Sequence, residues 1–145
     1  MNLDSSDKKT PLILVAEDDP DDRFLIEKAF QTSGLSGCLF FVEDGEELMD
    51  YLLGREKFAA NGPNVPECLL LDLKMPRKDG REALREIRQN FEYANLPILV
   101  LSTSDSDDDK KYCKELGVTD YMTKPDSFTG LLGLVEKSKC LWFSK

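Results

Sequence analysis

The segment that decides the fold is residues 67–80, which read Glu-Cys-Leu-Leu-Leu-Asp-Leu-Lys-Met-Pro-Arg-Lys-Asp-Gly. Its apolar run at 68–71 has no helical period and lies between two prolines, which predicts a strand buried on both faces. Asp72 follows directly, and Pro76 and Gly80 then predict a turn into a helix. A carboxylate at the carboxyl end of a buried strand is costly to desolvate. In open α/β sheets, however, ligands bind at the edge formed by these strand ends. Alone, the pattern leaves Asp72 open to two interpretations, a loop cap or a chemically active group.

Four further short segments are also predicted to be strands. They lie at 12–16, 38–42, 98–101 and 120–123, and a helical pattern follows each of them. The first helix is expected to be capped by Asp19, with Pro20 in its first position. Strands and helices therefore alternate five times, which predicts an α/β fold: a doubly wound, five-stranded parallel sheet with helices on both faces.

Residues 1–11 are predicted to be a polar lead-in, and residues 12–145 a single domain with an extended C-terminal helix. The connection at 54–66 is longer than most. It is interpreted as a tolerated insertion in preference to an added surface feature.

Composition excludes several classes of function. A net charge of -9 disfavours nucleic acids and anionic membranes as partners. The chain has no histidine, which rules out serine–histidine and cysteine–histidine catalysis, histidine zinc sites and a histidine phosphocarrier. The four cysteines form no Cys-x-x-Cys pair and are expected to be small core residues in a reducing compartment. No membrane-spanning or signal segment is recognised, so a cytoplasmic protein is expected.

Polar residues follow four of the five predicted strands: Glu17 and Asp18, Asp72, Ser102, and Lys124. Each has an ordinary explanation on its own, as a helix start, a cap or a solvated lysine. Together they should meet at the carboxyl edge of the sheet, and capping does not explain all of them.

The chemistry of this set is specific. Three clustered carboxylates repel one another unless a cation relieves them, and a site with oxygen ligands only selects Mg²⁺, Mn²⁺ or Ca²⁺. A lysine and a hydroxyl are the donors that phosphoryl oxygens need. The sequence therefore predicts metal-assisted phosphoryl transfer with Asp72 as the nucleophile.

In order along the chain, these motifs resemble those of the response-regulator receiver domain of two-component signalling. The matching segments are 15–20 (Val-Ala-Glu-Asp-Asp-Pro), 70–76 with Asp79 and Gly80, 101–103 (Leu-Ser-Thr), and 121–125 (Tyr-Met-Thr-Lys-Pro). The likeness runs from residue 12 to the last helix and implies a flavodoxin-like receiver fold. Residues 81–90, Ser102-Thr103-Ser104 and the long 54–66 connection are most similar to single-domain regulators paired with bacterial phytochrome histidine kinases.

The resemblance implies a role for each residue of the site. Asp72 would accept a phosphoryl group from a kinase phosphohistidine. Asp18 would bind Mg²⁺ directly, with Mn²⁺ as an alternative, and Glu17 would bind it through water. Asp72 and the backbone carbonyl of Lys74 would complete the protein ligands.

Other residues would contact the phosphoryl group and respond to its presence. Lys124, Ser102 and Thr103 would contact its oxygens, and Ser102 and Tyr121 would form the switch. The Lys124–Pro125 peptide bond is expected to be cis. Thr103 departs from the family pattern, which usually has a very small residue there, so access to the phosphoryl group should be narrower.

The leading hypothesis is a stand-alone receiver, a signalling phospho-acceptor rather than an enzyme. Roughly 20 residues beyond the core leave no room for an output domain of typical size. The output would be a contact with an unknown downstream protein or transfer to a later phosphocarrier.

The alternative is a Mg²⁺-dependent aspartyl-phosphate phosphatase or phosphotransferase for a small substrate. Such enzymes usually place an acid two residues beyond the nucleophile, where this chain has Lys74. The polar edge argues against a third interpretation, an inert flavodoxin-like scaffold.

The C-terminal region suggests self-association. The last helix carries Leu131, Leu134 and Val135, and Leu141, Trp142 and Phe143 follow it. A Trp-Phe pair near a chain end is exposed unless something covers it. A tail folded back on its own domain is one explanation. The prediction is a homodimer through the C-terminal helix face, close to Tyr121, since related receivers dimerise through this face.

Overall fold

A computed structural model describes residues 12–35, 39–61 and 65–139 of the 145-residue chain. Five strands alternate with five α-helices: β1 Ile13–Ala16, α1 Pro20–Thr32, β2 Leu39–Val42, α2 Gly45–Leu53, β3 Cys68–Leu71, α3 Gly80–Gln89, β4 Ile98–Ser102, α4 Asp107–Glu115, β5 Asp120–Thr123 and α5 Phe128–Lys137. Short 3₁₀ helices lie at Glu56–Asn61 and Phe91–Tyr93. None of the helices in these ranges is long and apolar enough to cross a membrane.

All strand pairs are parallel, in the order β2-β1-β3-β4-β5. β1 and β3 are buried along their whole length, as their unbroken apolar runs predicted. Alternate residues of each strand face opposite sides, so the sheet separates two apolar clusters. Leu14, Leu69 and Leu71 belong to the cluster shared with α2 and α3, and Ile13 and Leu70 to the one shared with α1 and α5. The predicted doubly wound fold is confirmed.

The helix starts follow from local capping. The Asp19 side chain accepts hydrogen bonds from the backbone N–H groups of Asp21 and Asp22, and Pro20 opens α1. Asp79 caps α3 by accepting from the N–H of Glu82. Because Asp79 is only seven residues beyond Asp72, this cap fixes the length of the loop that follows β3.

The connection after α2 is packed on the domain. Phe58, in the 3₁₀ helix, is buried, with its ring centroid 5.1 Å from that of Tyr51 and 6.1 Å from that of Phe40. An aromatic side chain thus anchors this part of the connection on β2 and α2, and the interpretation as a tolerated insertion stays a prediction.

One arginine connects the segments that precede β4 and β5, at the end of the sheet opposite the predicted site. Arg88, near the end of α3, donates hydrogen bonds to the carbonyls of Leu116, Gly117 and Tyr93 at 2.7, 3.0 and 3.0 Å. Gly117 has a φ of 71° and follows the last turn of α4, which is the position where glycine ends a helix most easily. The C-terminal end of α4 is thereby tied to α3.

Candidate functional site

Backbone ladders bring the predicted acids to one edge. The N–H of Asp72 donates to the Ala16 carbonyl at 3.1 Å, and the N–H of Glu17 donates to the Val42 carbonyl at 2.9 Å. Each residue thus continues its strand by one position. Because β1 and β3 are neighbours, the Glu17 and Asp72 side chains lie side by side.

Three carboxylates form a cluster there. Glu17, Asp18 and Asp72 each offer an oxygen within 4.8 Å of the other two. Glu17 and Asp72 are buried, 2% and 5% exposed, whereas Asp18 faces solvent. The N–H of Lys74 donates to Asp72 Oδ1 at 3.1 Å, so the backbone of this residue lies next to Asp72, and the role of its carbonyl as a ligand stays a prediction. A set of oxygen ligands open on one side fits a hard divalent cation that keeps part of its water.

Lys124 joins the acids. Its Nζ lies 2.8 Å from Glu17 Oε1, 3.3 Å from Asp72 Oδ2 and 2.7 Å from Asp22 Oδ2. The backbone N–H of Lys124 donates to the Ser102 carbonyl at 2.8 Å, which holds the end of β5 against β4.

Sequence analysis missed Asp22. It precedes the buried Ile26 by four residues, which puts both on the inward face of α1. That spacing was a usable signal, but among the acids at the start of α1 only Asp19 was assigned a role, as the helix cap.

Burial sets the protonation of the cluster. It raises the pKa of Glu17 to about 7, with the Asp72 charge adding to the effect and the hydrogen bond to Lys124 opposing it. Burial also raises the pKa of Asp72, while Lys124 and the N–H of Lys74 lower it. For Lys124, burial alone would lower the pKa, but hydrogen bonds to Asp22 and Glu17 raise it overall. The lysine is therefore charged, and Glu17 is partly protonated near neutral pH unless a cation replaces the proton.

The predicted switch residues meet at one loop. Ser102 is fully buried, and its Oγ accepts from the N–H of Ser104 at 3.2 Å. The Tyr121 hydroxyl donates to the Ser104 carbonyl at 2.8 Å. The loop between β4 and α4 therefore connects Ser102 with Tyr121.

This loop is also tied to two helices, which the sequence did not reveal. Ser104 Oγ donates to Asp109 Oδ2 at 2.6 Å, and Arg81 pairs with Asp109 Oδ1 at 2.9 Å. Arg81 also lies over the Tyr112 ring, 4.2 Å from its centroid. No pattern in the sequence pairs α3 with α4, because these contacts depend on how the two helices are oriented on the sheet.

Two further site predictions have different outcomes. Thr103 is exposed at the surface of the site. The Lys124–Pro125 bond is trans, as are all peptide bonds in the described ranges, so the expected cis bond is wrong. An X–Pro bond prefers trans by only about 0.5–1 kcal/mol, so its isomer is set by the surrounding fold and not by the dipeptide. Residues 141–143, on which the dimer prediction rests, lie outside the described residues.

The fold and this constellation define the class of protein. The chain belongs to the response regulator receiver domain family, whose model matches residues 13–136. The resemblance inferred from the motifs is thereby confirmed.

Individual relatives indicate which kind of receiver this chain resembles. The chain is 36% identical over 139 residues to the response regulator Rcp1 of Synechocystis sp., covering 94% of this chain and 93% of Rcp1. The structure of the phosphorylated cyanobacterial phytochrome response regulator RcpA matches with a TM-score of 0.84 and 34% identity, covering 94% and 96% of the two chains. The Mn(2+)-bound form of Rcp1 matches with a TM-score of 0.83 and 35% identity, covering 93% and 96%. The chain is thus a two-component receiver, and it is similar over most of its length to response regulators that include one of the cyanobacterial phytochrome type.

Proposed function

We propose that this chain is a stand-alone response regulator that accepts a phosphoryl group on Asp72 and then switches its contacts with other proteins. The convergence of Asp72 with Glu17, Asp18 and Lys124 supports this most strongly, because it joins a buried nucleophile, a cation site and a fixed positive charge. The donor would be a histidine kinase, of the phytochrome type by analogy with RcpA. The acceptor of the signal would be a downstream protein or a phosphocarrier.

A divalent cation completes the chemistry. Glu17, Asp18, Asp72 and the Lys74 carbonyl are the proposed ligands of Mg²⁺ or Mn²⁺, and the Mn(2+)-bound Rcp1 supports this choice. When bound, the cation neutralises charge on the transferred group. Lys124, Ser102 and Thr103 are proposed to contact the phosphoryl oxygens, and burial of Asp72 keeps competing water away from the nucleophile.

Ser102 and Tyr121 are proposed to be the switch. Both bond to Ser104, so a change at the Ser102 hydroxyl reaches Tyr121 through one residue. Coupling of this kind is typically worth about 1–3 kcal/mol, so phosphorylation should shift populations rather than act all-or-none. We infer that the chain is a signalling acceptor rather than an enzyme acting on other molecules. The net charge of -9 disfavours nucleic-acid and anionic-membrane partners, and we propose a cytoplasmic protein.

The homodimer remains a proposal. Leu131 and Val135 are buried in their own domain, and Leu134 packs against the same cluster, so these three residues contribute little to an exposed patch. The dimer therefore depends on residues 141–143. A monomer in sedimentation runs of both the unmodified and the phosphorylated protein would contradict it.

Acetyl phosphate tests the central proposal. With Mg²⁺ the protein should gain one phosphoryl group, seen by intact-protein mass spectrometry, and excess EDTA should prevent this. A small phosphomonoester should be left unchanged, because residue 74, two beyond the nucleophile, is a lysine and not the acid that such enzymes use. Phosphorylation in EDTA would contradict the metal proposal, and turnover of the monoester would favour the alternative of a small-substrate enzyme.

Binding of the cation should depend on pH. With the pKa of Glu17 near 7, a proton occupies this ligand at pH 6 and leaves it by pH 8. Mg²⁺ competes with that proton, so its affinity should rise roughly tenfold between pH 6 and 8, with proton release on binding. Calorimetry in buffers of different ionisation enthalpy measures both. Glu17→Gln should flatten this dependence, whereas Asp18→Asn should weaken binding but keep the slope. An unchanged slope in Glu17→Gln would assign the proton to another group.

A further inference from the structure

Asp22 is the nearest anion to Lys124 and is not one of the proposed cation ligands. Its Oδ2 lies 2.7 Å from Lys124 Nζ, closer than the oxygens of Glu17 at 2.8 Å and Asp72 at 3.3 Å. The Lys124 side chain is only 13% exposed, and that of Asp22 is 34% exposed. Water therefore screens this pair less than an ordinary surface ion pair.

Asp22 differs from the other two partners in what a cation does to it. Glu17 and Asp72 belong to the three-carboxylate cluster, and a bound cation would compete with Lys124 for their oxygens. Asp22 is outside this cluster. It therefore stays available to Lys124 whether or not a cation is bound.

The position of Asp22 determines the direction in which its carboxylate attracts the Lys124 ammonium group. Asp22 is anchored in the first turn of α1, where its N–H donates to the Asp19 side chain. Asp22 and Lys124 both line a cleft of about 70 Å³ between α1 and the start of α5, floored by Ile26 and Leu131. The contact thus draws the ammonium group towards α1.

We propose that Asp22 is a positioning residue that holds Lys124 on the α1 side of the site and thereby lowers the site's affinity for a phosphoryl group. The inference rests on the proposed function, in which Lys124 pairs with the phosphoryl oxygens. An arriving phosphoryl group must share the lysine with Asp22, and the carboxylate adds a negative charge close to the new anion. The resting state is favoured as a result.

Beryllofluoride, a stable mimic of the phosphoryl group, tests this in the full-length protein with Mg²⁺ present. A ¹⁹F NMR titration should show Asp22→Asn binding it about fivefold more tightly than the wild type, the lower end of typical coupling between sites. Asp21→Asn is the matched control. It makes the same charge change one residue away, on an exposed side chain, and should bind like the wild type. A gain in affinity is not what damage to the fold would produce.

A second readout follows the lysine itself. The ¹⁵N resonance of the Lys124 ammonium group, assigned by its loss in Lys124→Gln, should move in Asp22→Asn and stay in place in Asp21→Asn. Equal or weaker beryllofluoride binding by Asp22→Asn, or a stationary lysine resonance, would overturn the inference alone. A wild-type protein that binds no beryllofluoride would overturn the proposed function, and this inference with it.

Discussion

Asp72→Asn is expected to take up no phosphoryl group from acetyl phosphate or from a phosphorylated histidine kinase. An amide of the same shape has neither the charge nor the nucleophilic oxygen that an aspartyl phosphate requires. The other acids of the cluster should not replace it, because Asp18 faces solvent and Glu17 lies at the end of a different strand, where it pairs with Lys124. Intact-protein mass spectrometry with Mg²⁺ present measures the loss.

The fold of this variant should survive. Burial raises the pKa of Asp72, so its charge is costly in the metal-free protein, and Lys124 keeps Glu17 and Asp22 as partners. The free energy of unfolding should therefore stay close to that of the wild type, because no buried charge loses its last partner. Asp120→Asn, at the exposed start of β5, is the control and should be labelled normally. Full labelling of Asp72→Asn would place the acceptor on another residue.

Gly80→Ala should lower stability and phosphorylation together. A Cβ at Gly80 would lie 2.4 Å from the backbone oxygen of Asp72 and 2.5 Å from the Cα of Leu73. Both are backbone atoms, and the N–H of Gly80 already donates to the Leu73 carbonyl at 2.9 Å. Relief of the clash must move the segment that carries Asp72. We expect a loss of about 3 kcal/mol or more in the free energy of unfolding, since overpacking against fixed atoms is at the severe end of such changes.

The matched control is another helical glycine. Gly133, in α5, is exposed, and a Cβ added there would have no neighbouring atom within 4 Å. Gly133→Ala should raise stability by up to about 1 kcal/mol, because alanine is the better helix former. Urea unfolding and acetyl phosphate labelling compare the two variants. If Gly80→Ala unfolded like the wild type, close approach of α3 to the Asp72 segment would not be a constraint.

Much of the architecture could be predicted because it follows from local rules. The apolar run before Asp72 predicts a buried strand, and Asp19 followed by Pro20 predicts the first residues of a helix. Parallel strands place their carboxyl ends at one edge of the sheet, so Glu17, Asp72 and Lys124 were expected to lie at that edge. The cluster was therefore accessible from order along the chain alone.

What could not be predicted depends on helix rotation and side-chain reach. Asp22 contacts Lys124 only because α1 turns that face towards the end of β5. The pair of Arg81 and Asp109 requires α3 and α4 to lie at a particular separation. The trans bond before Pro125 reflects the balance of the whole loop. Each of these is a tertiary property that no short motif contains.

Two of the three hydrogen bonds of Arg88 have a mechanical consequence for α4. They pin the C-terminal end of this helix at Leu116 and Gly117, on the side of the sheet away from Asp72. Its first turn is held instead through Asp109, which bonds to the side chains of Ser104 and Arg81. A rearrangement at the proposed phosphorylation site would reach α4 through Ser104 and Asp109, so the expected displacement is largest at the surface around the start of this helix.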